Sequence, residues 1–312
     1  MHKSTMKAYI GLIVCVVILL ALIILFTDRV FVQQQNTLKN NEHALSIVVN
    51  GVERHFIIYV PKEYSAKTAH AAVIVLHGGG ESARYMMIET RWAEKANQEG
   101  FVAVFPEGTR PDPAKPAGLK VNQQTWNDGA GRFYHHEERN IDDVAFVDAI
   151  MDTLISEFAV DEQRIFITGF SNGASMTLRI GVELSHRVTA IAPVAGGLWV
   201  EEPRLSRPVS LISISGVKDL LPKKGEVMFG KEVRVIQAPV QNLTLLWAEM
   251  IGCSLKANVS EKSGVRKVVY SPCMDASLVV RYSLEGLGHV WPGGKMFDAT
   301  DVIWQFFEQH AT

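Results

Sequence analysis

Three residues in this chain have the types and the order needed for nucleophilic chemistry: a serine, then an aspartate, then a histidine. Ser171 stands in Gly169-Phe170-Ser171-Asn172-Gly173, directly after the apolar run 164–168 (RIFIT) and before a helical pattern. Strand, glycine-flanked serine and helix describe a sharp turn that exposes a hydroxyl at a helix N-terminus, where negative charge is favoured. Such a hydroxyl suits attack on a carbonyl, with the Asn172 amide beside the oxygen that becomes charged. Asp219 follows the run 209–215 (VSLISIS), and His289 lies among glycines beyond the run 278–282 (LVVRY). A histidine there can take the serine proton, and the carboxylate can fix its tautomer. Upstream, His77-Gly78-Gly79-Gly80 follows the run 71–76 (AAVIVL). Glycine lets backbone N–H groups approach a reacting carbonyl, so this loop is expected to give the second oxyanion donor, assigned to Gly79. His77 reads as a brace of that loop, and the polar stretch around His135 and His136 as a solvated loop.

The elements that must hold these residues alternate along the chain. Residues 46–61 form two alternating apolar runs around Asn50-Gly51, which predicts an antiparallel hairpin. Continuous apolar runs at 71–76, 101–105, 164–168, 189–194, 209–215 and 278–282 read as strands covered on both faces. Helical patterns fall at 84–98, 142–158, 174–184, 243–250 and 298–309. This order predicts an α/β fold with a mainly parallel twisted sheet, helices on both faces, and function at the carboxyl ends of the strands. Residues 45–312 read as one catalytic domain, in which 111–124 and 220–235 are the variable loops.

The bulk composition narrows the partners. Net charge is -2, with 47% hydrophobic and 21% charged residues, so no basic field draws nucleic acid. The ten histidines and three cysteines show no zinc spacing, and neither metal nor cofactor is expected. Residues 8–26 carry no charge, and roughly 18 such residues suffice to cross a bilayer. Lys3 and Lys7 precede the run, which places residues 1–7 in the cytoplasm and the rest outside. A cleaved signal peptide is the rival reading, but its apolar run is about 7–15 residues and ends at a small-x-small site. Here the run is longer and no Ala-x-Ala follows, so 8–27 is expected to be an uncleaved membrane anchor and 28–44 a polar tether. Export would leave Cys253 and Cys273 as a disulfide pair.

Longer strings then carry a resemblance. They are Tyr59-Val60-Pro61, the His77 to Gly80 loop, Phe105-Pro106-Glu107-Gly108, Asp142-Asp143-Val144-Ala145-Phe146 and the serine turn. Ala192-Pro193-Val194-Ala195-Gly196, Ile251-Gly252-Cys253 and Gly288-His289-Val290-Trp291-Pro292-Gly293-Gly294 complete the set. On these, the chain resembles the exported polyhydroxybutyrate depolymerase and feruloyl esterase-like family of α/β-hydrolases. The resemblance implies a triad of Ser171, Asp219 and His289, acyl-enzyme hydrolysis of esters without metal or cofactor, and Trp291 flanking the acyl or alcohol site. The expected substrates are small or oligomeric esters: short-chain acids, hydroxyalkanoate oligomers, or acetyl and feruloyl groups on glycans. A peptidase on the same fold and a non-catalytic binding protein are the competing readings.

Overall fold

The computed structural model describes residues 41–219 apart from 132 and 134, the backbone of 227–228 and 231–232, and residues 242–311. The expected anchor at 8–27, the tether up to residue 40 and most of the loop 220–235 lie outside the described residues. Among the described residues, no helix is long and apolar enough to cross a membrane.

The chain opens with β1 (Glu42–Val49) and β2 (Val52–Tyr59), an antiparallel hairpin. Its turn residues Asn50 and Gly51 have φ of 49° and 79°, the left-handed pair that matches the twist of two antiparallel strands. β1 starts at Glu42, inside the stretch read as a tether: Glu42 pairs with Tyr59 of β2, and its carboxylate meets Arg84 at 2.5 Å. Next come β3 (His70–Leu76), β4 (Val102–Pro106), β5 (Val160–Phe170), β6 (Ala190–Val194) and β7 (Ser210–Gly216). A short ribbon, β8 (Val227–Met228) and β9 (Lys231–Glu232), is followed by β10 (Asn258–Lys262), β11 (Val265–Tyr270) and β12 (Val279–Leu284). The main sheet has ten strands in the order β1-β2-β4-β3-β5-β6-β7-β12-β11-β10. From β4 to β12 its neighbours are parallel, and a hairpin closes each edge.

The doubly covered strands follow from their composition. In β3, Ile74 and Leu76 join one core with Ile165 and Ile167, under α4 (Asp143–Glu157), α5 (Asn172–Glu183) and α6 (Leu243–Met250). Val73 and Val75 face the other way and pack with Phe166 under α1 (Ala83–Thr90), α2 (Trp92–Glu99) and α7 (Ala299–Glu308). Burying both faces leaves little room for polar side chains in the covered stretches, which is why 71–76 and 165–167 read as unbroken apolar runs. The remaining helix, α3 (His135–Glu138), is a single turn.

Helix starts are chemically marked. Asp142 caps α4 by accepting the Ala145 amide, and Asp298 caps α7 by accepting that of Asp301. The helix expected at 84–98 is two helices, broken at Arg91, whose φ is 55°. The break lets the Thr300 hydroxyl reach the Thr90 carbonyl at 2.6 Å, and Trp92 is wholly buried beside Phe101 and Phe307. The β10–β11 hairpin was not anticipated. Cys253 and Cys273 form the expected disulfide, which closes the segment containing this hairpin.

One buried ion pair joins the N-terminal hairpin to the interior. Arg54 of β2 meets Asp143 at the start of α4, 2.6 Å apart, and both are buried. The second Asp143 oxygen accepts the Asn127 amide at 2.7 Å. Burial alone would raise this carboxyl, but Arg54, His136 and the Asn127 amide together outweigh it and hold Asp143 below the ordinary carboxylate range. Removing one partner leaves an uncompensated buried charge. Arg54→Met is therefore expected to cost about 3–5 kcal/mol in urea unfolding, seen as a lower midpoint at unchanged slope. A loss under about 1 kcal/mol would mean the pair is solvated.

Candidate active site

The serine turn is built by close backbone approach. β5 ends at Phe170, and Ser171 follows with φ 54° and ψ -116°, a strained conformation for a residue with a side chain. Its amide donates to the Val194 carbonyl of β6 at 3.0 Å, which holds the strained residue to the sheet. A Cβ at Gly169 would lie 2.6 Å from the Gly173 carbonyl oxygen, and one at Gly173 would run into the carbonyls of Leu76 and His77. The two glycines thus let the first turn of α5 sit directly on the end of β3. Adjacent strands carry the serine turn and the glycine loop, so neither travels far to meet the other.

Asp219 and His289 come from the next pair of adjacent strand ends. β7 and β12 are parallel neighbours, with Gly216 opposite Leu284. Beyond the strands the loops stay joined, since the Lys218 amide donates to the Leu287 carbonyl at 3.0 Å. Asp219 Oδ1 lies 2.9 Å from His289 Nδ1, and His289 Nε2 lies 2.7 Å from Ser171 Oγ. A carboxylate can only accept, so the Nδ1 proton goes to Asp219. Nε2 is then the bare nitrogen, and it accepts the Ser171 hydroxyl. The Asp219 side chain is 4% exposed and that of His289 is 46% exposed, so the acid is enclosed while the ring faces the solvent side.

The glycine loop is a closed turn. The Glu81 amide donates to the Gly78 carbonyl at 3.1 Å, and Gly80 has φ of 84°. A positive φ at the third position is the signature of a type II turn with Gly79 second. His77 Nδ1 donates to the same Gly78 carbonyl at 2.7 Å, and His77 Nε2 accepts the Gly108 amide at 2.9 Å. The Phe105 to Gly108 string therefore steadies the loop through His77, a brace as expected. Burial lowers His77 to about 4, so the ring stays neutral. Of the three glycine amides, Gly78 donates to the Glu81 carboxylate and Gly80 to the Gln124 carbonyl. The Gly79 amide has no acceptor among the described residues.

Asn172 contributes twice. It is the first residue of α5, where a backbone N–H has no intrahelical acceptor. Its side chain accepts the Trp126 amide at 2.7 Å and donates to Asp128 at 2.8 Å. Around Gly79, a methyl group would meet Asn172 Cβ and Thr125 Cγ2 at 3.7 Å and the Phe133 ring at 4.0 Å. Phe133 and Thr125 were not singled out from sequence, because each approaches the loop from a segment without a pattern of its own.

One expectation changes. His135 and His136 are buried rather than solvated, 7% and 3% exposed. His136 Nε2 contacts the Thr125 hydroxyl at 3.0 Å, its ring lies 4.0 Å from Asp143, and burial lowers it to about 3. The polar string misleads because its partners lie far away in sequence. Trp291 is 7% exposed and packs into the core, donating its indole N–H to Thr300 at 3.2 Å. That contact ties the His289 loop to α7. Among the described residues, no group of His, Cys, Asp or Glu could hold a metal ion.

The neutral buried histidines have a stability consequence. His77 titrates near 4 when folded and near its ordinary value when unfolded, so across this window the unfolded chain binds more protons. Stability is therefore expected to fall as pH drops from about 6.5 towards 4. His77→Asn should reduce that slope by up to ~1.4 kcal/mol per pH unit, read from urea unfolding at several pH values. An unchanged slope would show that His77 takes up a proton in the folded state.

Comparison with known proteins agrees with this architecture. The phospholipase/carboxylesterase family model matches residues 62–211. A bifunctional acetylxylan esterase/xylanase of Neocallimastix patriciarum is 24% identical over 263 residues, 83% of this chain and 34% of that protein. Feruloyl esterase B of Piromyces equi is 27% identical over 262 residues, 81% of this chain and 45% of that protein. The chain thus spans less than half the length of either relative. The acetyl xylan esterase structure from Aspergillus awamori superposes with a TM-score of 0.59 at 13% identity, covering 86% of this chain and 98% of its own. At that identity the likeness is one of fold. On its sheet order and its serine turn the chain has an α/β-hydrolase fold, and these matches make it similar to feruloyl and acetylxylan esterases.

Proposed function

We propose that the chain hydrolyses carboxylic esters through Ser171, His289 and Asp219. The observation that carries this reading is the unbroken line of hydrogen bonds from Asp219 to His289 to Ser171. His289 Nε2 takes the Ser171 proton as Oγ attacks the ester carbonyl, and Asp219 stabilises the imidazolium that forms. The carbonyl oxygen becomes an oxyanion, held by the amides of Gly79 and Asn172. His289 then protonates the departing alcohol, and water, activated by the same nitrogen, releases the acid from Ser171. The names of the relatives favour acetyl and feruloyl esters on plant glycans over hydroxyalkanoate oligomers. We further propose that the domain works outside the cytoplasm, tethered by the apolar run at 8–27; the Cys253–Cys273 disulfide supports an oxidising compartment.

Two substitutions test the chemistry. Ser171→Ala is expected to lower hydrolysis of short-chain nitrophenyl esters ~10⁴-fold or more and to abolish labelling by a fluorophosphonate. Gly79→Pro removes one N–H, and proline suits the second position of a type II turn, so the fold should persist while kcat falls by ~10²-fold or more. Full activity in Ser171→Ala would sink the nucleophile assignment. Wild-type kcat in a folded Gly79→Pro would sink that of the oxyanion donor.

A further inference from the structure

We propose that Glu81 is a positioning residue of the glycine loop, its carboxylate setting the Gly78–Gly79 peptide so that the Gly79 amide faces the substrate carbonyl. This rests on the ester-hydrolase reading and assigns to it a residue outside the triad and the oxyanion donors.

The geometry begins with Gly78. A trans peptide is planar, so the Gly78 carbonyl and the Gly79 N–H point in opposite directions and turn together. The carbonyl is held from two sides, by His77 Nδ1 at 2.7 Å and by the Glu81 amide at 3.1 Å. The preceding peptide is held on both sides: its His77 carbonyl accepts the Trp126 indole N–H at 2.8 Å, and its Gly78 N–H donates to Glu81 Oε2 at 2.8 Å. Without that acceptor the Gly78 N–H would have no partner among the described residues, at a glycine with no side chain to limit its torsions. Glu81 therefore contributes two of the four bonds that fix these two peptides, one through its backbone amide and one through its carboxylate.

The arrangement is a poor one for stability alone. The Glu81 carboxylate is partly buried and takes a single hydrogen bond, from Gly78. A charge enclosed with one donor costs more than a neutral side chain in the same place. It is also tightly fitted. A Cβ at Gly78 would lie 2.8 Å from Glu81 Oε2 and 3.1 Å from the Phe170 ring, and that ring lies 4.9 Å from the His289 ring. Position 78 thus admits the carboxylate only because it is glycine. The charge reaches to within one aromatic ring of the histidine that becomes cationic during the reaction.

The charged neighbours make the site sensitive to pH. Burial raises Glu81 to about 7; the Gly78 amide and His289 pull it back, and Glu89 of α1 adds to the rise. Tyr85, also on α1, lies within electrostatic reach and is itself raised, first by its own burial. As pH rises through about 7 the carboxyl ionises, its bond to Gly78 becomes charge-assisted, and the loop tightens.

The test compares Glu81→Ala and Glu81→Gln in the full chain. For ester hydrolysis, Glu81→Ala should lower kcat about tenfold, part of the loss of a whole donor, with KM nearly unchanged. Glu81→Gln keeps an acceptor and should keep most of kcat while losing the inflection near pH 7. Hydrogen exchange at the Gly78 amide gives a readout independent of any activity: faster in Glu81→Ala, and slower in Glu81→Gln than in Glu81→Ala. If Glu81→Ala fails to fold, Glu81→Asp decides, its carboxylate one methylene short of the Gly78 amide: wild-type Gly78 exchange in it overturns the proposal, and faster exchange with a lower kcat supports it. Gly78 exchange as slow in Glu81→Ala as in wild type overturns it too, whatever the ester assays give. Fast exchange in Glu81→Ala with no ester hydrolysis by the wild type would instead support the positioning role and fault the ester reading.

Discussion

The contact on which the site depends is the approach of the first turn of α5 to the end of β3. With no side chain at Gly173, the helix start rests against the carbonyls of Leu76 and His77. That closeness brings Ser171, Asn172 and Gly79 into one small volume. Any side chain at residue 173 would push the two strand ends apart and separate the amides of Gly79 and Asn172. Ser171 accepts an unfavourable φ for the same reason, and its bond to Val194 makes that conformation the one the sheet imposes.

Around this contact lies a shell of buried polar groups that hold one another. Asn172 clamps the Trp126 backbone, and the Trp126 indole donates to the His77 carbonyl. Thr125 contacts both Gly79 and His136, and His136 faces Asp143, which is paired with Arg54. Each buried polar atom without a partner would cost of order 1–3 kcal/mol, so the groups are fixed by mutual satisfaction rather than by volume alone. The shell also explains why an N-terminal hairpin matters to a site it never touches. Arg54 of β2 carries the charge that keeps Asp143 ionised, and Asp143 holds the Asn127 amide one residue beyond Trp126.

How legible these features are depends on how local their causes are. The strands at 71–76 and 164–168 are plain in the sequence because burial on both faces removes polar residues, and Asp142 and Asp298 mark helix starts because an orphan amide needs an acceptor nearby. The serine turn is legible because the clash that demands its glycines involves fixed backbone. The break at Arg91 is not, since neither glycine nor proline marks it and the contact it opens, to the Thr300 hydroxyl, lies two hundred residues away. The β10–β11 hairpin hides for a different reason. β10 is exposed along its whole length, so no apolar alternation announces it, although Ser263-Gly264 supplies the turn. The burial of His135 and His136 follows from Thr109, Thr125 and Asp143, which no window of sequence brings together.

Two histidines show how environment rather than residue type assigns a role. His77 has both ring nitrogens committed to backbone groups, and burial keeps it neutral across the working range of pH. It can hold a loop, but moving a proton would break one of the two bonds that give it that task. His289 has one nitrogen against an enclosed carboxylate and the other on a hydroxyl, with its outer face open. A proton arriving at Nε2 there breaks no structural bond, and the carboxylate on the far side stabilises the charge it brings. The two rings follow the ends of β3 and β12, and what separates them is that one carbonyl and one amide claim His77, whereas a carboxylate claims only half of His289. In the proposed reaction, proton transfer is confined to a single histidine on this rim because the fold has already satisfied the other.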